Sequence, residues 1–176
     1  MGAQLKFFSD SFLGQHGGGI TKGKRKERRP ITVKRSMHIT LRSSYARGKC
    51  SFLSPRNATF IKALLITLTR RHKVRIYEHA NSGNHLHLLI RAMTRVDFQK
   101  FVRELSSQIA RFVSGCAKGN PLKGKFFDRL LYSRIVSWGR EYESVLRYIR
   151  MNAAEALGII PYTPRPSKKN RTVQLN

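Results

Sequence analysis

A chain of 176 residues has the length of one domain with short extensions and can bury a real core. Its 35 Lys and Arg against 9 Asp and Glu leave a formal charge of +26, which points to a polyanionic partner, while 40% hydrophobic residues exclude a wholly disordered chain. Two isolated cysteines, Cys50 and Cys116, suggest neither a disulfide framework nor a cysteine zinc site, and no apolar run approaches the roughly 18–20 residues of a membrane span.

Residues 1–31 read as a flexible arm. The start, MGAQLKFFSDSFLGQHGGG, lacks the basic and apolar regions of a secretory signal, and Lys6 stands where myristoylation needs Ser or Thr. The expected location is therefore the cytoplasm, with no membrane partner. Glycines at 14, 17, 18, 19 and 23 precede or interrupt a basic run of Lys22, Lys24, Arg25, Lys26, Arg28 and Arg29, followed by Lys34 and Arg35. Such a run is a solvated tail or a means of tracking phosphates, and the global charge favours the second. Gly18-x4-Gly23-Lys24 imitates a phosphate loop. Arg25 occupies the place of the magnesium-binding Ser or Thr, however, and no apolar strand leads into it.

The folded domain is expected over 32–160. Met37, Ile39 and Leu41 alternate with His38, Thr40 and Arg42, the period of a strand with one buried face. Asn57 is the expected cap of a helix carrying Phe60, Ile61, Leu64, Leu65 and Leu68 and ending in Arg70-Arg71-His72-Lys73. A second strand at 74–78 and a third at 85–91, joined by Asn81-Ser82-Gly83-Asn84, predict a hairpin. Thr94 opens a long helix with Phe98, Phe101, Val102, Leu105, Ile109 and Phe112 at helical spacing. A fourth strand over 126–136 and a last helix from about Arg140 to Leu157, stopped by Gly158, complete the order β-α-β-β-α-β plus one helix. That order is the ferredoxin-like arrangement of an α+β fold, with the first and third strands adjacent at the centre of an antiparallel sheet. Residues 161–176 read as a second basic tail.

The chemistry gathers on two of these elements. On the third strand Leu86, Leu88 and Ile90 point one way, under the two helices, and His85, His87 and Leu89 the other, on a face expected to be uncovered. The histidines are then about 6–7 Å apart along a rigid strand, a spacing that suits two ligands of one divalent ion as well as two exposed imidazoles. On the last helix Tyr142, Val145, Leu146, Ile149, Ala153 and Ala156 form the apolar stripe, with Tyr148 on its flank and Asn152 one turn on. Tyr148 and Asn152 read as a nucleophile and a metal ligand delivered together, or as a surface tyrosine and a helix-weakening asparagine. Glu78 is a further candidate ligand or a surface counter-charge. His38, on the polar side of the first strand, is a packing residue or touches substrate or metal.

Asn84-His85-Leu86-His87-Leu88-Leu89-Ile90, followed by Tyr148-Ile149-x-x-Asn152 and preceded by Met37-His38-Ile39-Thr40, resembles the signature of single-tyrosine HUH transposases, particularly the REP-associated tyrosine transposases. The likeness runs from about residue 34 to 160. Three departures stand out: Ser82-Gly83 replaces the usual Met-Pro, Ala153 follows Asn152 where proline is frequent, and Asn152 replaces the glutamine of insertion-sequence members. The resemblance implies one Mg²⁺ or Mn²⁺ held by His85, His87 and Asn152, and Tyr148 attacking a phosphate of single-stranded or hairpin DNA. Its products would be a 5′-phosphotyrosine link and a free 3′-OH. A free phenol, with a pKa of ~10, is scarcely ionised at neutral pH, so such an attack needs a nearby cation. A nuclease built on three carboxylates is disfavoured by an inventory of nine acids. The rival expectation is a catalytically silent DNA- or RNA-binding module on the same fold, and either a monomer or a homodimer fits the pattern.

Overall fold

Residues 14–20 and 27–163 are described by a computed structural model. Along the chain lie strand β1 (Gln15–His16), β2 (Ser36–Arg42), helix α1 (Pro55–Arg71), β3 (Val74–Asn81), β4 (His85–Ala92), helix α2 (Arg95–Ser114), β5 (Tyr132–Val136) and helix α3 (Arg140–Ala156). The strands form one antiparallel sheet in the order β1-β5-β2-β4-β3. The expected ferredoxin-like order is therefore present, with β2 and β4 paired at its centre, and one short edge strand is added.

Alternation dictates the main core. Met37, Ile39 and Leu41 of β2 and Leu86, Leu88 and Ile90 of β4 turn to one side, where Ile61, Leu64, Leu65 and Leu68 of α1 and Phe98, Phe101, Leu105 and Ile109 of α2 cover them. Removing each such side chain from water is worth about 1.5–3 kcal/mol, which sets the strand register because a one-residue slip would expose the whole row. Thr94 caps α2 as expected, its Oγ1 accepting from the Asp97 amide at 3.0 Å.

Four local expectations are corrected. Helix α1 starts after Ser54, with Pro55 in the first turn; Asn57 lies inside the helix, buried, where its Nδ2 donates to the Ser51 carbonyl at 2.9 Å. The strand expected from 126 begins only at Tyr132, because Phe126 turns into the core and its carbonyl accepts from the Ser43 hydroxyl. The N-terminal segment, expected to be an arm throughout, pairs Gln15 with Arg134 and His16 with Ser133. Gly17 makes that approach possible: at φ +82°, a Cβ there would lie 2.0 Å from the Leu131 carbonyl oxygen.

The fourth correction concerns the face carrying the histidines, which is not bare. Helix α3 crosses it, burying Val145 and Ile149 against Ala80, Leu89 and Val136. Two ion pairs fasten the helix, Arg134 to Glu141 at 3.4 Å near its start and Arg150 to Glu78 at 2.8 Å near its end. Glu78 is thus a counter-charge for Arg150. The layers are helices, sheet and a single helix, with α3 leaving part of the sheet open beside it.

Candidate functional site

Strand pairing assembles the site before any side chain is considered. Directly opposed residues share a face, so the partners His38↔Arg134 and His38↔Leu89 define one row, Tyr132↔Thr40 and Thr40↔His87 the next, and Arg42↔His85 a third. Beside this grid, under the flank of α3, opens a cleft of about 920 Å³ lined by His38, His85, His87, Tyr132, Arg134 and Tyr148 among others.

His87 is the hub. Its ring lies 5.7 Å from that of Tyr148 at an interplanar angle of 86°, and 5.9 Å from that of His85, nearly parallel. His87 Nδ1 is 3.2 Å from Thr40 Oγ1 and 3.3 Å from His38 Nε2. His38 is buried and its ring meets Tyr148 and Tyr132 edge-on at 5.9 and 6.2 Å. Helical spacing thus delivers Tyr148 to the strand histidines, as the flank position on the last helix requires.

The electrostatics disfavour a charge on His38 and His85. Burial, and then the charges of His87 and Arg134, lower the pKa of His38 to about 3. Burial also lowers that of His85, helped by Arg42 and opposed by Asp128. Burial raises the Tyr132 phenol. Asp128 is pushed up by burial, but hydrogen bonds from Ser44 and the charge of Arg42 prevail and leave its carboxyl below its ordinary value.

A divalent ion fits this donor chemistry. His85 Nδ1 is 2.5 Å from Asn84 Oδ1, which as an acceptor selects the Nδ1–H tautomer and leaves Nε2 with the lone pair. Among the described residues no group of three or more His, Cys, Asp and Glu side chains is arranged to hold an ion, so a third protein donor would be of another type. Asn152 is buried on α3, and its Nδ2 donates to the Tyr148 carbonyl at 2.6 Å. It does not line the cleft.

The expected phosphate-tracking cations divide. Lys22, Lys24, Arg25 and Lys26 lie outside the described residues. Arg28, Lys34 and Arg35 are exposed. Arg29 is corrected to a structural clasp: its guanidinium donates to Ser133 Oγ at 2.5 Å and to the Leu131 carbonyl at 2.8 Å, and burial lowers its pKa. Sequence reading missed Arg42, Asp128, Tyr132 and Arg134 as cleft residues. The parity of β2 and of the expected fourth strand carried that signal, since Thr40 and Arg42 share a side with His38, and Tyr132 with Arg134.

The family model described as Transposase IS200 like matches residues 32–152. Among solved structures, the chain is similar to a REP-associated tyrosine transposase bound to a REP hairpin, at 17% identity over 77% of this chain and 76% of that one, with a TM-score of 0.56. A weaker likeness, TM-score 0.43 and 16% identity over 73% and 98% of the two chains, is to a putative transposase from Deinococcus radiodurans R1. No curated protein matches significantly.

Proposed function

The chain belongs to the IS200-like transposase family, and on that premise we propose that it nicks and transfers single-stranded or hairpin DNA through a covalent link to Tyr148. The observation that carries the reading is the placement of the Tyr148 ring against His87, 5.7 Å away at the edge of an open basic cleft. A hydroxyl nucleophile beside a pair of histidines on one strand face is what metal-assisted transesterification of a phosphodiester requires.

His85 and His87 would hold a divalent ion, Mg²⁺ or Mn²⁺; the resemblance assigns the third place to Asn152, one helical turn from Tyr148 and outside the cleft lining as it stands. Such an ion, when bound, neutralises charge on the scissile phosphate. Helix α3 holds Tyr148 in reach, and its two ion pairs limit the freedom of the phenol before reaction. The Tyr148 oxygen forms a bond to phosphorus, the bond from phosphorus to the 3′-oxygen breaks, and the phenolic proton is balanced by the one gained at the leaving 3′-OH. Because one phosphodiester replaces another, rejoining needs no nucleotide triphosphate. Arg42, Arg129 and Arg134 line the cleft and suit the flanking phosphates, with Arg28, Lys34 and Arg35 as outer contacts.

The test uses labelled single-stranded hairpins from DNA flanking the gene, incubated with Mn²⁺ or EDTA and run on denaturing gels. A covalent band that needs Mn²⁺ and is lost in Tyr148→Phe and His87→Ala supports the proposal. Hairpin binding without any adduct would replace it with the silent binding module.

A further inference from the structure

His38 makes no contact that a transesterification by Tyr148 itself requires, yet it is a buried polar residue and touches three site residues. Its ring stacks on His87 with centroids 5.5 Å apart and planes 19° from parallel, and its Nε2 lies 3.3 Å from His87 Nδ1. Its other faces meet the rings of Tyr132 and Tyr148. Buried imidazoles of this kind need an assigned hydrogen-bond role. The register supplies one, because His38 and His87 lie on adjacent strands, one diagonal step apart, on the same side of the sheet.

We propose that His38 is a positioning residue that fixes the tautomer of His87, its Nε2 accepting from the Nδ1–H of His87 so that His87 Nε2 carries the lone pair. A neutral histidine presents one donor and one acceptor nitrogen, and the partner of the first decides the chemistry of the second. Thr40 Oγ1, 3.2 Å from the same Nδ1, is the other acceptor, so the N–H is shared between two neighbours on β2. His85 has the parallel arrangement with Asn84 Oδ1. The two strand histidines would then carry the same tautomer, imposed by different partners, and present equivalent Nε2 atoms to one ion. This inference rests on the proposed metal role of His85 and His87.

Two measurements test it on the full chain. Long-range ¹H–¹⁵N spectra of the metal-free protein should show His87 protonated at Nδ1; protonation at Nε2 would overturn the inference whatever the metal data. Titration calorimetry with Mn²⁺ should give binding that His87→Ala abolishes and that His38→Leu weakens about tenfold, the low end of the effect of losing such a partner because Thr40 remains. His38→Gln, whose amide oxygen can accept, should restore affinity to within about threefold of the original. Unweakened Mn²⁺ binding by a folded His38→Leu refutes the positioning role and leaves the metal reading standing. A native chain that takes up no Mn²⁺ refutes the metal reading itself. Should His38→Leu fail to fold, the native tautomer and the His38→Gln titration still decide.

Discussion

Helix α3 is held to the sheet by a small cluster, and this makes the position of Tyr148 separable from the stability of the main core. Leu88 and Leu89 are neighbours on β4, both fully buried, yet they face opposite layers: Leu88 packs under α1 and α2, Leu89 under α3 with Val145 and Ile149. Truncating either to alanine removes similar apolar volume and should cost about 2–5 kcal/mol. The consequences should differ. Among the described residues the α3 side has five buried members against 21 on the other, so losing Leu89 removes a large share of what docks the helix. Trp138, the only tryptophan, sits at the entry to α3 with its ring 5.1 Å from that of Tyr142 and 5.6 Å from that of Tyr77. Its fluorescence therefore reports α3 docking, whereas far-ultraviolet circular dichroism is dominated by the longer helical content of α1 and α2. In urea, Leu89→Ala should show the fluorescence transition before the dichroism transition, and Leu88→Ala should show the two together at a lowered midpoint. Coincident transitions in Leu89→Ala would refute the separability of the layers.

Three further outcomes follow from the geometry. Because the folded protein lowers the pKa of His38 from 6.5 to about 3, the unfolded chain takes up a proton there that the folded one refuses between those values. In EDTA, stability relative to His38→Gln should therefore fall with decreasing pH by about 1.4 kcal/mol per unit below pH ~6; a pH-independent difference contradicts it. Gly17→Ala, at a left-handed φ and against the Leu131 carbonyl, should strip exchange protection from the Gly18 amide, which donates to Leu130 at 2.9 Å; unchanged protection would mean that the edge strand tolerates a side chain. Arg29→Ala should lower stability by about 1–3 kcal/mol through its lost charged hydrogen bonds. Lys34→Ala and Arg35→Ala should leave stability alone and each flatten the salt dependence of hairpin binding by about one phosphate contact. Identical behaviour of all three would dissolve the distinction between clasp and contact.

Much of this arrangement was legible because period and parity are local properties. The alternation in 37–42 and 85–91 identifies the two central strands and sorts Leu86, Leu88 and Ile90 from His85 and His87 without any tertiary information. Helical spacing likewise places Tyr148 on the flank of α3 with Asn152 a turn away. What escaped depends on contacts distant in sequence. The cover that α3 gives Leu89, the ladder partners that set Arg134 beside His38 and Arg42 beside His85, and the pairing of Gln15 with Arg134 are all set by register. Glycines 17–19 read as a hinge because nothing nearby reveals the Leu131 carbonyl that demands a residue without Cβ. Asn57 resembles a cap by residue type, but Pro55 starts the helix two positions earlier and turns the asparagine to the loop behind it.

The central claim is that Tyr148 is the residue joined to DNA. The most direct measurement is to trap the adduct with a labelled hairpin strand and Mn²⁺, digest it, and locate the nucleotide by mass spectrometry. The account predicts a 5′-phosphate on Tyr148, absent in Tyr148→Phe and retained in Tyr132→Phe. Attachment at Tyr132, the other cleft tyrosine, or hairpin binding with no adduct in the presence of Mn²⁺, would contradict it.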